Sequence, residues 1–295
     1  MHSIHMLQTS NHTLIDPKTG NLAFKVMTFE HNIFESLQRF NYYTLVWVTG
    51  GTGRVQADLS EYEFTENTVL SFSLYQPFKI LPETQLKGIV IHFHPDFFCI
   101  YKHHKEVACD GVLFNNMYGA PLVSLPETSR QTLQLLAEQM KEGIRIKGFA
   151  QYELLVSYLK IFLIMLSRLK SEQYPQQATD MTGDDEPFVL QNLKDCIEAH
   201  YKKKHAVSDY ADMLAITPKA LAKITKRHYK KTVTALISDR IIIEAKRELY
   251  LTNKTVKEIA YDLGYNDEYY FSRFFKKNVE VSPQVYRETV GSDRG

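Results

Sequence analysis

Cysteine is scarce. Cys99, Cys109 and Cys196 are the only three, they lie far apart, and none belongs to a Cys-x-x-Cys pair. This excludes a disulfide framework and a cysteine zinc site, and fits reduced thiols in a cytosolic protein. No apolar stretch is long enough to span a bilayer, and the first residues show no basic segment followed by an apolar run, so neither membrane insertion nor export is expected. The formal net charge is only +1, so bulk charge alone names no partner. A glycine loop spaced to cradle phosphate, a nucleophile beside a base and a pair of neighbouring carboxylates are also missing, which argues against an enzyme and against a bound cofactor.

What is present is an ordinary globular composition, 44% hydrophobic and 23% charged over 295 residues, enough for two domains with cores of their own. The small net charge hides an asymmetry. Residues 1–187 hold 15 Lys and Arg against 20 Asp and Glu, whereas residues 188–295 hold 20 against 14. A basic C-terminal part suits nucleic acid bound at one end of the chain.

From Leu22 to Phe93 short runs rich in Val, Ile, Thr and aromatics alternate with turn signals: LAFKVMTF, YYTLVWVTGG, GRVQADL, YEFTENTVLSFS, PFKIL and KGIVIHF, with turns at Gly50-Gly51 and Glu66-Asn67. Six such runs predict a β-sandwich or small barrel, a form able to enclose a small ligand. Tyr43, Trp47, Phe72, Tyr75 and Phe93 are the candidate effector contacts, with simple core packing as the plainer alternative; Arg54 and Lys79 could neutralise an acidic effector, or sit solvated on the surface. A loop over Gly111–Pro126 precedes two helical patterns, Glu127 to about Lys147 and Phe149 to about Glu172. The second carries Leu154, Leu155, Tyr158, Leu159, Phe162, Leu163, Leu166 and Leu169, a wider apolar face than one small sheet needs. The polar stretch SEQYPQQATDMTGDDEP then reads as an interdomain linker.

The C-terminal part repeats one theme. Thr255 and Glu258 form a capping box, Val256, Ile259, Ala260 and Leu263 recur at helical spacing, and Gly264 stands where a left-handed cap costs least. Asn266 or Asp267 opens a second helix with Tyr270 or Phe271, Phe274 and Phe275 inward, completing a helix-turn-helix. About 50 residues upstream, Val207 to Leu214 and TPKALAKITKRHY repeat the layout, with Leu221 and Ile224 inward and Leu214, Leu221, Lys223 and Lys226 at the places of Leu263, Phe271, Arg273 and Lys276. A helix over Phe188 to about Lys203, with Leu190, Leu193, Ile197 and Tyr201 on one face, precedes them. A long helix from Thr234 to Leu251, with Leu236, Ile237, Ile241, Ala245 and Leu249 as its stripe, joins the two units. Lys226, Arg227, Lys276 and Lys277 are placed to meet phosphates.

RIIIEAKRELYL at Arg240 to Leu251, KEIAYDLGY at Lys257 to Tyr265, YFSRFFKK at Tyr270 to Lys277 and SPQVYR at Ser282 to Arg287 closely resemble the signature of the AraC/XylS family of bacterial transcription regulators. The resemblance is specific over roughly the last hundred residues; before that only the layout is similar to the family's cupin-like sensing domains. It implies an α+β chain of two domains: a cupin-like β-barrel or sandwich with following helices over 1–174, a linker over 175–187, and an all-α DNA-binding domain with two helix-turn-helix units over 188–295. The implied base-reading positions are Lys219, Ala222 and Lys223 on the first recognition helix and Glu268, Tyr269, Tyr270, Ser272 and Arg273 on the second. The implied partners are double-stranded DNA, a second copy of the chain paired through the helices after the β-domain, a small-molecule effector, and RNA polymerase if the protein activates transcription.

Three departures stand out. Lys230 and Glu280 occupy the places where the family usually has glycine at the end of each recognition helix, Ala206 replaces a hydroxyl cap, and Ala222 offers bases only a methyl. His92-Phe93-His94 is the one pattern that suggests metal, because alternate strand residues share a face. The metal-binding cupin arrangement puts that pair on an early strand with a carboxylate soon after, which FNYYTLVWV lacks, so no metal site is assigned. The alternatives are a metal-dependent cupin enzyme fused to a DNA-binding module, or a regulator with no small-molecule effector.

Overall fold

The computed structural model describes residues 11–58, 60–103, 112–114, 117–173 and 186–290. Most of the linker and Cys109 lie outside the described residues. The chain divides into two compact units, with the boundary between Gln173 and Tyr174; the described residues 117–119 group with the second unit.

In the first unit the β-type runs become strands β1 (Asn11–Ile15), β2 (Leu22–Phe29), β3 (Tyr43–Gly50), β4 (Gly53–Ala57), β5 (Ser60–Phe64), β6 (Thr68–Phe72), β7 (Phe78–Pro82), β8 (Lys87–Phe93) and β9 (Leu122–Ser124). They pair antiparallel into a six-stranded sheet, β1-β2-β8-β3-β6-β9, and a three-stranded sheet, β5-β4-β7. The run YEFTENTVLSFS splits into two strands because Asn67 takes φ 60° and turns the chain; Gly51 does the same after β3 with φ 96°. Two strands were not foreseen. β1 completes one edge, and β9, inside the expected loop, adds to the other through Thr68, Val69 and Leu70.

The two sheets enclose one apolar cluster, in which Phe29, Val46, Val48, Leu70, Phe72 and Val90 of the larger sheet meet Val55, Ala57, Phe64, Phe78 and Ile80 of the smaller. Strand alternation sends Tyr43, Leu45 and Trp47 to the opposite, outer face of the larger sheet, and these are buried as well. The cover there comes from the segment after β8 and from helices α1 (Glu127–Arg145) and α2 (Gln151–Gln173). Phe97 stacks on Phe24 at 4.9 Å and meets Tyr152 of α2 edge-on, while Tyr43 stacks on Phe93 at 5.1 Å. Gln173 clamps the end of α2 to β9: its side-chain oxygen accepts the Ser124 N–H at 2.9 Å and its amide nitrogen donates to the Ser124 carbonyl.

The second unit is all helix: α3 (Glu186–His200), α4 (Val207–Met213), α5 (Pro218–Tyr229), α6 (Val233–Leu251), α7 (Val256–Asp262), α8 (Glu268–Val279) and α9 (Pro283–Val290). The stripe foreseen for α6 is fully buried, as are Leu190, Leu193, Ile197 and Tyr201 of and just after α3. Arg240 welds α6 to α3. Its guanidinium reaches Glu198 at 2.7 Å and Glu244 at 3.2 Å and lies 4.0 Å from the centre of the Tyr201 ring. Burial, aided by the Glu244 and Glu198 carboxylates, pushes Tyr201 up to about 12 against the opposing Arg240 charge.

Candidate nucleic-acid interface

The second helix-turn-helix is built from its caps inward. Thr255 Oγ1 accepts the Glu258 N–H at 3.1 Å and the Glu258 carboxylate accepts the Thr255 N–H at 2.7 Å, so each side chain satisfies a backbone donor that helix geometry leaves open. The two hydrogen bonds from Thr255 hold Glu258 below the usual carboxylate range. Ile259, Ala260 and Leu263 are buried, and Gly264 turns the chain with φ 81° so that the Tyr265 N–H reaches the Ala260 carbonyl at 2.9 Å. Asp267 opens α8 by accepting from the Tyr269 and Tyr270 N–H groups at 2.7 and 3.2 Å. Phe271, Phe275 and Val279 hold α8 to the core. Phe274 is half-buried against Tyr265, at 5.3 Å, and Tyr270, weighed as an inward position, is 57% exposed.

The first unit follows the same plan with fewer devices. Ala206 provides no side-chain cap for α4, and the Asp209 carboxylate accepts its N–H at a long 3.4 Å. The turn that Gly264 makes in the second unit is made here by Ala215, at φ 54°. Thr217 Oγ1 caps α5 through the Ala220 N–H at 3.1 Å, with Pro218 at the first helical position. Leu221 is buried as expected, but the second inward residue is Thr225, not Ile224, which is half-buried; the Thr225 hydroxyl donates to the Leu221 and Ala222 carbonyls at 2.9 and 3.1 Å. Both recognition helices end on left-handed residues without glycine's freedom, Lys230 at φ 56° and Glu280 at φ 68°.

The outward faces carry the residues assigned from sequence. On α5, Lys219, Ala222, Lys223, Lys226 and Arg227 are exposed; on α8, Tyr269, Tyr270, Arg273, Lys276 and Lys277 are exposed and Glu268 and Ser272 half-buried. Among the described residues, Lys219, Lys223, Lys226, Arg273, Lys276 and Lys277 make no ion pair within the protein, so their charges stand open to an anion. Between the two units α6 supplies 19 residues, or ~28 Å of rod at 1.5 Å per residue. The far end of that rod is fixed by Arg287 of α9, which donates to the Leu249 and Lys254 carbonyls at 3.1 and 2.6 Å. Sequence pattern gave no sign of this arginine's role, since its acceptors are main-chain groups more than 30 residues away.

The five aromatic residues singled out for an effector are not brought together. Tyr43, Trp47 and Phe93 are buried on the outer side of the six-stranded sheet. Phe72 lies between the sheets, stacked on Phe78 at 3.7 Å, and Tyr75 is half-buried in a turn at φ 55°. Arg54 is engaged by Glu61 at 2.7 Å and Glu83 at 3.3 Å. Of the histidines, His92 points into Phe34, Phe40 and Tyr42 with Thr44 Oγ1 at 3.0 Å from its Nδ1, and burial, helped by the Lys25 charge, depresses it to about 3. His94 Nδ1 lies 3.4 Å from the Asp96 carboxylate. No group of three or more metal-ligating side chains occurs among the described residues.

Residues 210–289 match the family model of a helix-turn-helix domain. The chain is 32% identical over 111 residues to the transcriptional activator Btr of Bacillus subtilis, covering 38% of this chain and 21% of that protein. It is 28% identical over 119 residues to the raffinose operon regulatory protein RafR of Pediococcus pentosaceus, covering 40% and 42%. The chain thus spans less than half the length of either relative. Among solved structures it is similar to ToxT K231A of Vibrio cholerae, with 17% identity and a TM-score of 0.42 over 92% of this chain and 99% of that one.

Proposed function

We propose that the whole chain, whose residues 210–289 match the helix-turn-helix domain model, is a sequence-specific DNA-binding transcription regulator of the AraC/XylS type. The observation that carries this reading is the pair of aligned recognition helices, α5 and α8, one presenting Lys219, Lys223 and Lys226 and the other Arg273, Lys276 and Lys277 without ion pairs, joined by one rigid helix. A rod of this length suits two successive major grooves, ~34 Å apart on one face of the duplex. Arg273 has the planar fork that recognises guanine, Tyr269 and Tyr270 offer rings and hydroxyls beside it, and Lys226, Arg227, Lys276 and Lys277 reach phosphates. Ala222 gives the first helix only a methyl for thymine, so the second helix discriminates bases more sharply.

In this reading residues 1–174 receive a signal, a small-molecule effector, and residues 175–187 link them to the reader at 188–295. The reading takes activation as the direction, as in the activator Btr, with RNA polymerase as the partner and the cytoplasm as the setting. Pairing of two copies is supported by α2, where Leu154 is 45% and Ile161 46% exposed on the side opposite its buried leucines, leaving an apolar face for a twin. The test is selection of bound duplexes from a random library by the full-length protein, then affinity at several salt concentrations. Two base-specific blocks about one helical turn apart are expected. No enrichment by the full-length chain or by residues 180–295 would overturn the reading.

A further inference from the structure

Among the described residues of the first unit, the buried polar groups with no hydrogen-bond partner include the Lys170 ammonium and the Trp47 indole N–H. Neither is at the surface, Lys170 being 2% and Trp47 3% exposed. In its charged form Lys170 can only donate, as can the indole N–H, so the two cannot then satisfy one another; what the ammonium lacks is an acceptor. The fold brings them to one face. Trp47 stands opposite Val69 and Val69 opposite Val123, so the three form a row across β3, β6 and β9 on the outer face of the larger sheet. Gln173 pins the end of α2 to Ser124, the next residue of β9, and Lys170 lies one helical turn before it on the buried side of α2.

An unpaired buried ammonium is costly, and ordinary cores exclude it unless a counter-charge arrives. Burial alone, with no neighbouring carboxylate, lowers Lys170 to about 7, in keeping with a lysine that waits for its partner. We propose that Lys170 and Trp47 form an anion subsite beneath α2 that takes the carboxylate of a small, mostly apolar organic acid. One cation neutralises one charge, which selects a monocarboxylate over a phosphate dianion, and the surrounding valines and helix leucines suit an apolar body. The inference rests on the regulator reading only in naming this acid the effector; the site itself is built from the first unit. It moves the ligand from between the sheets, where Phe72 packs, to the outer face, where Trp47 does.

Trp47 is the chain's single tryptophan, so its fluorescence reports on the site directly. The full-length protein would be titrated at pH 7 with benzoate and octanoate, and in parallel with benzamide and octanamide, following Trp47 emission and unfolding temperature. The expected result is a saturable emission change and a raised unfolding temperature with at least one acid and not with its amide. The same acid should bind Lys170→Met, which keeps the apolar stem, at least tenfold more weakly. Equal effects of acid and amide, no effect of either acid, or an unchanged response in Lys170→Met would each overturn the proposal. The acid and amide contrast on the unaltered chain needs no variant to fold. DNA selection is run without acid, so failure there removes the regulator reading and leaves the ligand result standing, and the converse holds.

Discussion

The aligned turns of the two helix-turn-helix units invite a reciprocal exchange, Gly264→Ala in the second and Ala215→Gly in the first. Gly264 sits at φ 81°, and a Cβ built there would stand 2.1 Å from the Lys202 carbonyl oxygen, a main-chain atom between α3 and α4 that cannot swing aside as a side chain can. The left-handed backbone costs an L-residue ~1–2 kcal/mol and forced overpacking a further ~1–3 kcal/mol, while the stiffer unfolded chain returns ~0.4–1 kcal/mol. A net loss of ~2–4 kcal/mol is expected for Gly264→Ala, which in a unit of roughly 100 residues lowers the unfolding temperature by about 10–20 °C. Ala215 already bears the backbone cost at φ 54° with an exposed side chain, so Ala215→Gly removes that strain against the entropy glycine adds to the unfolded state. A gain of ~0.5–1 kcal/mol follows. Thermal unfolding of the full-length chain followed by circular dichroism at a helix band reads both changes. The reasoning is refuted if Gly264→Ala costs less than ~1 kcal/mol or if Ala215→Gly destabilises.

On DNA, Lys276→Ala should weaken binding to selected and scrambled duplexes alike and reduce the slope of log affinity against log salt by about 1; a loss confined to the selected sequence would remove Lys276 from the phosphate contacts. Arg273→Ala should relax base preference at its block by ~1–3 kcal/mol, and more than Lys223→Ala does at the other; the reverse order would show that the first helix is the sharper reader. His92, depressed to about 3 from an ordinary 6.5, takes up a proton in the unfolded chain before it does so in the folded one. Its contribution is therefore whole above pH ~6.5 and declines as pH falls, by up to ~1.4 kcal/mol per unit. Unfolding of the first unit, followed through Trp47 between pH 7 and 5.5, should show this decline and lose most of it in His92→Gln; an unchanged slope would place the titration elsewhere.

The C-terminal architecture was legible because its determinants are local. A Thr255–Glu258 box, a glycine and an Asp267 cap act within one turn of their own positions, and each appears in the structure with the hydrogen bonds that its residue type dictates. The strands β2 to β8 were legible as runs, and the turns at Gly51 and Asn67 fell where those residues stand. β9 was not, since three residues acquire strand geometry only by pairing with β6, some 50 positions earlier. The face to which each aromatic points was equally hidden. β3 is buried on both sides, so its sequence lacks the alternation that would have separated Val46 from Trp47. The same holds for Lys170: a lysine in a helix reads as surface until α2 is laid against the sheet.

The unequal construction of the two helix-turn-helix units has a kinetic consequence. α7 and α8 are closed by a reciprocal cap, a glycine turn, an aspartate cap and the Arg287 latch. α4 lacks a side-chain cap at Ala206, and Ala215 carries left-handed strain where the second unit has Gly264; the left-handed ends at Lys230 and Glu280 are common to both units. Local opening therefore begins at the first unit, at a fraction of the cost of unfolding the domain. On the proposed reading, a bound duplex is expected to leave from that end first, with α8 the last contact to break, so that the second recognition helix would set the lifetime of the complex and the first would act as a fast-exchanging check on the neighbouring block of sequence.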